Sequence, residues 1–226
     1  MKHQLPLLLC AAAVWLLTSC AESITRGKQY AALYEEAPVS VVIMPPINET
    51  NSVEAKDYFY TTLYAPLCEK GYYVFSPYLT MEMFQTESAY DSEPFLEADL
   101  STFRNVLGAD AAMFTIIKSW KRNNLGGKLT VDVEYRLRST KTGETLYRRE
   151  GLIKVDTRVG SGSGGIGALI GLVATAVNTA LTDKVVAGRK CTAYVLSDLP
   201  TGKYSPTHGK DQDEPAGKAY IKATVK

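Results

Sequence analysis

Between Lys128 and Arg138 the chain alternates without a slip: Lys128-Leu-Thr-Val-Asp-Val-Glu-Tyr-Arg-Leu-Arg138. Successive side chains of a strand point to opposite faces, so this period of two demands a strand with one apolar and one wet face. Leu129, Val131, Val133, Tyr135 and Leu137 fall on the apolar side, with the charges on the other. Asn123-Asn-Leu-Gly-Gly127 makes a turn before this strand. Thr142-Gly143 makes one after it, and Glu144-Thr-Leu-Tyr-Arg-Arg149 returns as a hairpin. Ala111 to Trp120 is a further strand, so the second half of the chain reads as a β-meander.

The first half reads as strand–helix units. Val39 to Met44 is almost continuously apolar and β-branched, as suits a strand buried on both faces, and Pro45-Pro46 stops it. Val53, Phe59, Tyr60, Leu63 and Leu67 recur at helical spacing; Pro66 should kink that helix and Gly71 should end it. A short strand at Tyr72–Phe75, a short helix from Leu79 to Thr86 and a helix from Ser101 to Leu107, stopped by Gly108, complete this half. The pattern predicts an α+β fold: a central mixed sheet with helices packed on it, a meander, then a Gly-rich helix and a mobile tail.

The N-terminus carries a different signal. Lys2 and His3 precede an apolar run from Leu5 to Leu17, and Leu17-Thr18-Ser19-Cys20 follows the pattern of the bacterial lipobox. A basic start, an apolar stretch of about 7–15 residues and small residues before a cut site describe a secretory leader. The run is too short for a membrane-crossing helix, which needs about 20 residues. Leu17, Thr18 and Ser19 then form the recognition box, and Cys20 takes a diacylglycerol and an N-acyl chain, the only covalent group expected. The segments follow: 1–19 a signal peptide, 20–37 a lipidated tether, 38–197 the α/β domain including a Gly-rich helix over 160–186, and 198–226 a polar, exposed C-terminal tail. Ala21 and Glu22 lack the aspartate that retains lipoproteins at the inner membrane, which favours the outer membrane.

Composition narrows the function classes. Lys2 apart, the 25 basic residues fall to 24, matching 24 acidic ones, and no basic block points to nucleic acid. Past the leader the only histidine is His208, in the polar tail, so neither a zinc cluster nor a Ser-His-Asp triad can be assembled around it. The pairs Glu35/Glu36 and Asp211/Asp213 read as solvated charges of tether and tail. Gly162, Gly164 and Gly167 match G-x-G-x-x-G in name only, because no βαβ unit surrounds them. Cys68 and Cys191 can pair in an oxidising envelope, or Cys68 can be a buried apolar filler.

Two features point to contacts. Val159 to Thr182 has no charged side chain, and Gly164, Gly167, Ala168 and Gly171 put small residues along one side of a helix. Such a side can pack on its own sheet, on a second copy or partner, or on lipid. The chain also holds 14 tyrosines, several of them close together: Tyr58, Tyr60, Tyr64, Tyr72, Tyr73 and Tyr78. Tyr72 and Tyr73 are candidate interface residues, since tyrosine brings amphipathic contact area; a Tyr-rich core edge is the plain alternative.

Ile43-Met-Pro-Pro-Ile-Asn48, Gly71-Tyr-Tyr-Val74, Gly108-Ala-Asp110, Tyr135-Arg-Leu-Arg138 and Thr142-Gly-Glu-Thr-Leu146 occur here in that order. This combination, over residues 38–185, resembles the GNA-type bacterial lipoproteins, with a wider likeness to the periplasmic domain of CsgG lipoproteins and to TolB N-terminal domains. The resemblance implies an α/β domain at the inner face of the outer membrane, associated with a CsgG-like lipoprotein. The turn at 123–127 is too short to supply pore strands, which need about 9–11 residues per crossing. The expected function is that of a non-enzymatic, metal-free, lipid-anchored periplasmic component of a secretion or envelope assembly, possible homo-oligomers included. The alternative is a lipid- or small-ligand-binding protein that uses the apolar 165–182 segment.

Overall fold

The computed structural model describes residues 23–87, 90–123, 128–156 and 179–225. In chain order these form helices α1 (Arg26–Gln29) and α2 (Ala31–Glu36), strands β1 (Ser40–Ile43) and β2 (Ile47–Asn48), helices α3 (Ala55–Thr62) and α4 (Tyr64–Glu69), strand β3 (Tyr73–Val74), helices α5 (Pro77–Thr86) and α6 (Ser101–Leu107), the long strands β4 (Ala111–Asn123), β5 (Lys128–Ser139) and β6 (Thr145–Asp156), helix α7 (Thr179–Val195) and strand β7 (Tyr220–Val225). The mixed sheet runs β3-β1-β4-β5-β6-β7, with β2 beside β4 beyond the end of β1. Pairing is parallel for β3–β1–β4, antiparallel across the meander, and parallel again for β6–β7.

Local chemistry explains the boundaries. All four residues of β1 are buried, as a strand covered on both faces requires. The predicted single helix over 53–67 is two helices broken at Leu63. Pro66 has no N–H to donate to the Thr62 carbonyl, so the ladder is interrupted one turn before the proline. Gly108 ends α6 with φ +71°, and Gly143 turns β5 into β6 with φ +75°. Both are left-handed conformations that glycine adopts without a Cβ clash.

Two apolar layers flank the sheet. On one face Tyr30 and helices α2, α3, α4 and α7 cover Val41, Ile43, Met113, Val133, Tyr135 and Tyr147. On the other, α5 and α6 cover only the parallel half, around Val42, Met44, Phe84, Phe103 and Phe114.

Two segments differ from the sequence reading. Residues 26–36, expected within a tether, are helices whose Tyr30 and Leu33 enter the core. The expected tail keeps most of its side chains exposed, but its backbone is paired to the body. Its backbone donates from Gly202 to Lys70 and from Tyr204 to Gly71, at 2.8 and 2.9 Å, and its last strand extends the sheet. Composition reads this stretch as solvated, but it cannot register backbone pairing, nor the burial of Asp198 and Asp211. Gly71, at φ +88°, and Gly202 meet so closely that a Cβ on either would strike the other segment's backbone. The Gly-rich stretch over 160–178 lies outside the described residues. Among the described residues a close helix contact is made at Gly188 of α7, where a Cβ would stand 3.2 Å from Thr62 of α3.

Candidate functional site

Three places in the described body gather polar or aromatic groups. The first is the open face of the meander. The pairing of β4 with β5 shifts between Ile117 and Ser119, a bulge that carries Lys118. Bulges re-aim side chains; here the Lys118 ammonium meets Glu134 at 3.0 Å and Glu150 at 2.6 Å. Glu134 also accepts from Arg136 and Arg148, at 2.8 Å each, and is almost completely enclosed at 2% exposure. Burial alone would raise its pKa, yet the hydrogen bonds from Arg136, Lys118 and Arg148 drive it down to about 2. Asp132, two residues away, shifts up through burial and the neighbouring Glu150. Arg138 turns inward and donates to the carbonyls of Phe95, Leu96, Ala98 and Gly143. These charges serve one another and the loop at 95–98, which describes a closed ionic surface.

The second place is a cleft of about 540 Å³ at the end of the sheet, between α2, Asp110 and the Thr142-Gly143 turn. The motifs at 108–110 and 142–146 meet here. Asp110 accepts from the backbone of Val39 and Ser40 at 3.0 Å, and Glu36 accepts from Ser139 and Thr142 at 2.6 Å. The two carboxylates fasten the start of β1 and the hairpin turn. Among the described residues, no group of three or more His, Cys, Asp or Glu is placed to hold a metal ion.

The third place is the β3 edge. No described strand lies beyond β3. Tyr73 is 54% exposed, and its ring meets Phe75 edge-on at 5.4 Å. Tyr64 of α4 and Tyr78 and Leu79 of α5 are also exposed, at 43%, 77% and 64%. The neighbouring thiol of Cys68, exposed one turn along α4, raises the pKa of Tyr64, and Tyr73 adds to that shift. Large apolar side chains clustered beside an open edge mark a contact surface.

The candidates from the sequence divide accordingly. Tyr73 is in this patch. Tyr72 is not: it is buried, its hydroxyl donates to the Pro200 carbonyl at 2.9 Å, and burial raises its pKa. Cys68 and Cys191 are both free, the former exposed and the latter buried in α7. The apolar filler is therefore Cys191, whose thiol burial pushes up to about 12. Asp211, expected as a solvated charge, is buried and accepts from Tyr34 and Thr201. His208 is exposed, with Nδ1 2.9 Å from the Thr201 carbonyl. Leu17, Thr18, Ser19, Cys20, Gly164, Gly167, Ala168 and Gly171 lie outside the described residues. Tyr78 belongs to the tyrosine cluster read from the sequence, whereas Leu79, an apolar residue opening a short helix, carries no local sign that it faces solvent.

The sequence pattern described as "Putative lipoprotein GNA1162-like" matches residues 28–201. The chain belongs to this lipoprotein family. The family region takes in β1 to β6 and the whole aromatic edge, and stops before most of the returning loop and β7. A "Putative lipoprotein NMB1124/NMB1162" of Neisseria meningitidis serogroup B is 28% identical over 193 residues, 84% of this chain and 89% of that one. Among solved structures, lipoprotein GNA1162 of Neisseria meningitidis is similar at 25% identity and a TM-score of 0.49, over 60% of this chain and 95% of that one. A PelC dodecamer from Paraburkholderia phytofirmans gives 14% identity and 0.41, over 77% and 90%.

Proposed function

We propose that this family member is a non-enzymatic, lipid-anchored envelope protein that acts by holding another protein at its β3 edge. One observation carries the reading: Tyr64, Tyr73, Tyr78 and Leu79, on β3 and on the helices that precede and follow it in the chain, all expose large side chains, and β3 is an edge of the described sheet. Burying such side chains against a partner removes apolar area from water at about 25 cal/mol per Å². In the ionic cluster Glu134 is paired with Lys118, Arg136 and Arg148, and in the cleft Glu36 and Asp110 fasten the fold. The lipobox at Leu17 to Cys20 supplies the anchor and favours the periplasmic face of the outer membrane. Confinement to a surface raises the effective concentration of anchored partners. A CsgG-like lipoprotein remains the partner class that the sequence motifs imply.

The test is photo-crosslinking in cells from p-benzoylphenylalanine at Tyr73 and Tyr78, with the exposed Val106 of α6 as the control position. Discrete adducts to an envelope protein from 73 and 78, lost in Tyr64→Ala/Leu79→Asp and in Cys20→Ala, support the reading. Equal adducts from 106, or adducts indifferent to those changes, overturn it.

A further inference from the structure

The described chain is pinned from its first residues. The Ile24 carbonyl accepts from Ala216 N–H at 2.8 Å, Thr25 bridges Pro215, Arg26 N–H donates to Glu214 at 2.8 Å, and Gly27 N–H donates to Gln212 at 2.9 Å. Gly27 lies against Gln212 so tightly that a Cβ would stand 3.2 Å from it. The Arg26 side chain reinforces the pairing: it donates to Asp198 at 3.1 Å and to Glu214 at 2.6 Å. Asp198 in turn accepts from Tyr30 at 2.6 Å and from Gly217 N–H at 2.8 Å, closing the returning loop onto the same spot.

Only four peptide links separate Cys20 from Ile24. Whatever their conformation, they span at most about 14 Å. A body of this size is roughly 40 Å across. A leash so much shorter than the body cannot let it turn its far side to the bilayer. We infer that the surface made by residues 24–29 and the loop residues 210–215 rests on the lipid headgroups. The inference relies on the anchor proposed above, and its partner is the bilayer surface itself. Ile24, Lys28, Lys210 and Glu214 are exposed there. Mixed charge and one aliphatic side chain suit a zwitterionic headgroup layer better than a strongly anionic one. The same loop packs through Gly202 on Gly71, immediately before β3. The start of the aromatic edge is thus tied to the same loop that holds residues 24–27.

The test uses the full-length lipidated protein in vesicles of phosphatidylethanolamine with a minor proportion of phosphatidylglycerol. In a Cys68→Ser background, a fluorescent donor is attached at Lys210→Cys or at Val106→Cys, with an acceptor on lipid headgroups. Val106 sits on α6, across the sheet from α1, so the two sites differ in height by about two packed layers, roughly 20 Å. Energy transfer several-fold higher from 210 than from 106 is expected, and a long Gly/Ser insertion after Ser23 should abolish the difference. Equal transfer, or more from 106, overturns the orientation. So does a difference that survives the insertion, since leash length would then not set it. Flotation separates the two ideas: if lipidated protein floats and Cys20→Ala does not, only the orientation has failed; if neither floats, the anchor has failed and the inference with it.

Discussion

The two faces of β5 come from alternate residues of one strand, yet they are built on different principles. Leu129, Val131, Val133, Tyr135 and Leu137 face the helical layer and are all buried. That face is held by apolar area, which any well-filled arrangement supplies. Asp132, Glu134, Arg136 and Arg138 face the other way, where the helical cover ends at the parallel half of the sheet. The sequence pattern leads one to expect that face to be wet. Instead Glu134 and Arg138 are as enclosed as core residues, because neighbouring charges and loop carbonyls close over them. Enclosure on one face comes from shape, and on the other from specific pairing that depends on each member's charge.

Breaking the apolar face should cost most. Tyr135→Ala removes a fully buried ring and its hydroxyl contact to Thr192 at 2.7 Å, and should lower stability by about 3–5 kcal/mol in urea unfolding. Breaking the ionic face should cost less. Glu134→Ala leaves Lys118, Arg136 and Arg148 facing one another, but Arg148 is 58% exposed on its side chain and Lys118 30%, so water screens what remains. A loss of about 1–3 kcal/mol is expected, below that for breaking a fully buried pair. A larger loss than for Tyr135→Ala would show that the charges, not the core, dominate this sheet.

The acid limb sharpens the same contrast. The Glu134 pKa is depressed, from 4.5 to about 2. Its contribution is therefore fully present above about 4.5 and disappears as pH falls toward 2. Wild type should lose more stability across that window than Glu134→Gln, measured by urea unfolding at each pH. Asp132 shifts the opposite way, so ionising it works against folding. Asp132→Asn should change stability at neutral pH by only about 0.5 kcal/mol, and on the stabilising side. A clear destabilisation would mean that Asp132 has a partner role like that of Glu134.

The fold was legible where chemistry is local. The alternation at 128–138, the buried run at β1 and the stops at Gly108 and Gly143 placed their elements within a residue or two, because period and backbone freedom act within a few neighbours. Helices α1 and α2 were not legible: residues 26–36 carry a weak repeat, and only Tyr30 and Leu33 reach the core. The returning loop was hidden for another reason. Its polar composition is genuine, but Arg26, Tyr30 and Tyr34 lie some 170 residues from Asp198 and Asp211, and no local pattern announces such partners. Of the aromatic edge, the tyrosine cluster was visible, but which tyrosines face out was not. Tyr72 and Tyr73 are neighbours on a strand, so one had to point in, and only the docking of Pro200 decides that it is Tyr72.

The smallest expected effect on stability falls on that edge, and this is its value. Tyr73→Ser and Tyr78→Ser remove side chains that touch little of their own fold, so unfolding free energy should stay within about 0.5 kcal/mol of wild type. Their rings are nonetheless among the largest apolar groups the protein shows to solvent. A fold held only by its own core gains nothing from presenting them; a contact surface does. Loss of crosslinked partner in Tyr73→Ser/Tyr78→Ser at unchanged stability would separate binding from folding. If the double variant were instead destabilised by more than about 1 kcal/mol, the rings would be part of the structure's own closure, like Tyr72 beside them, and the edge would lose its claim to a partner.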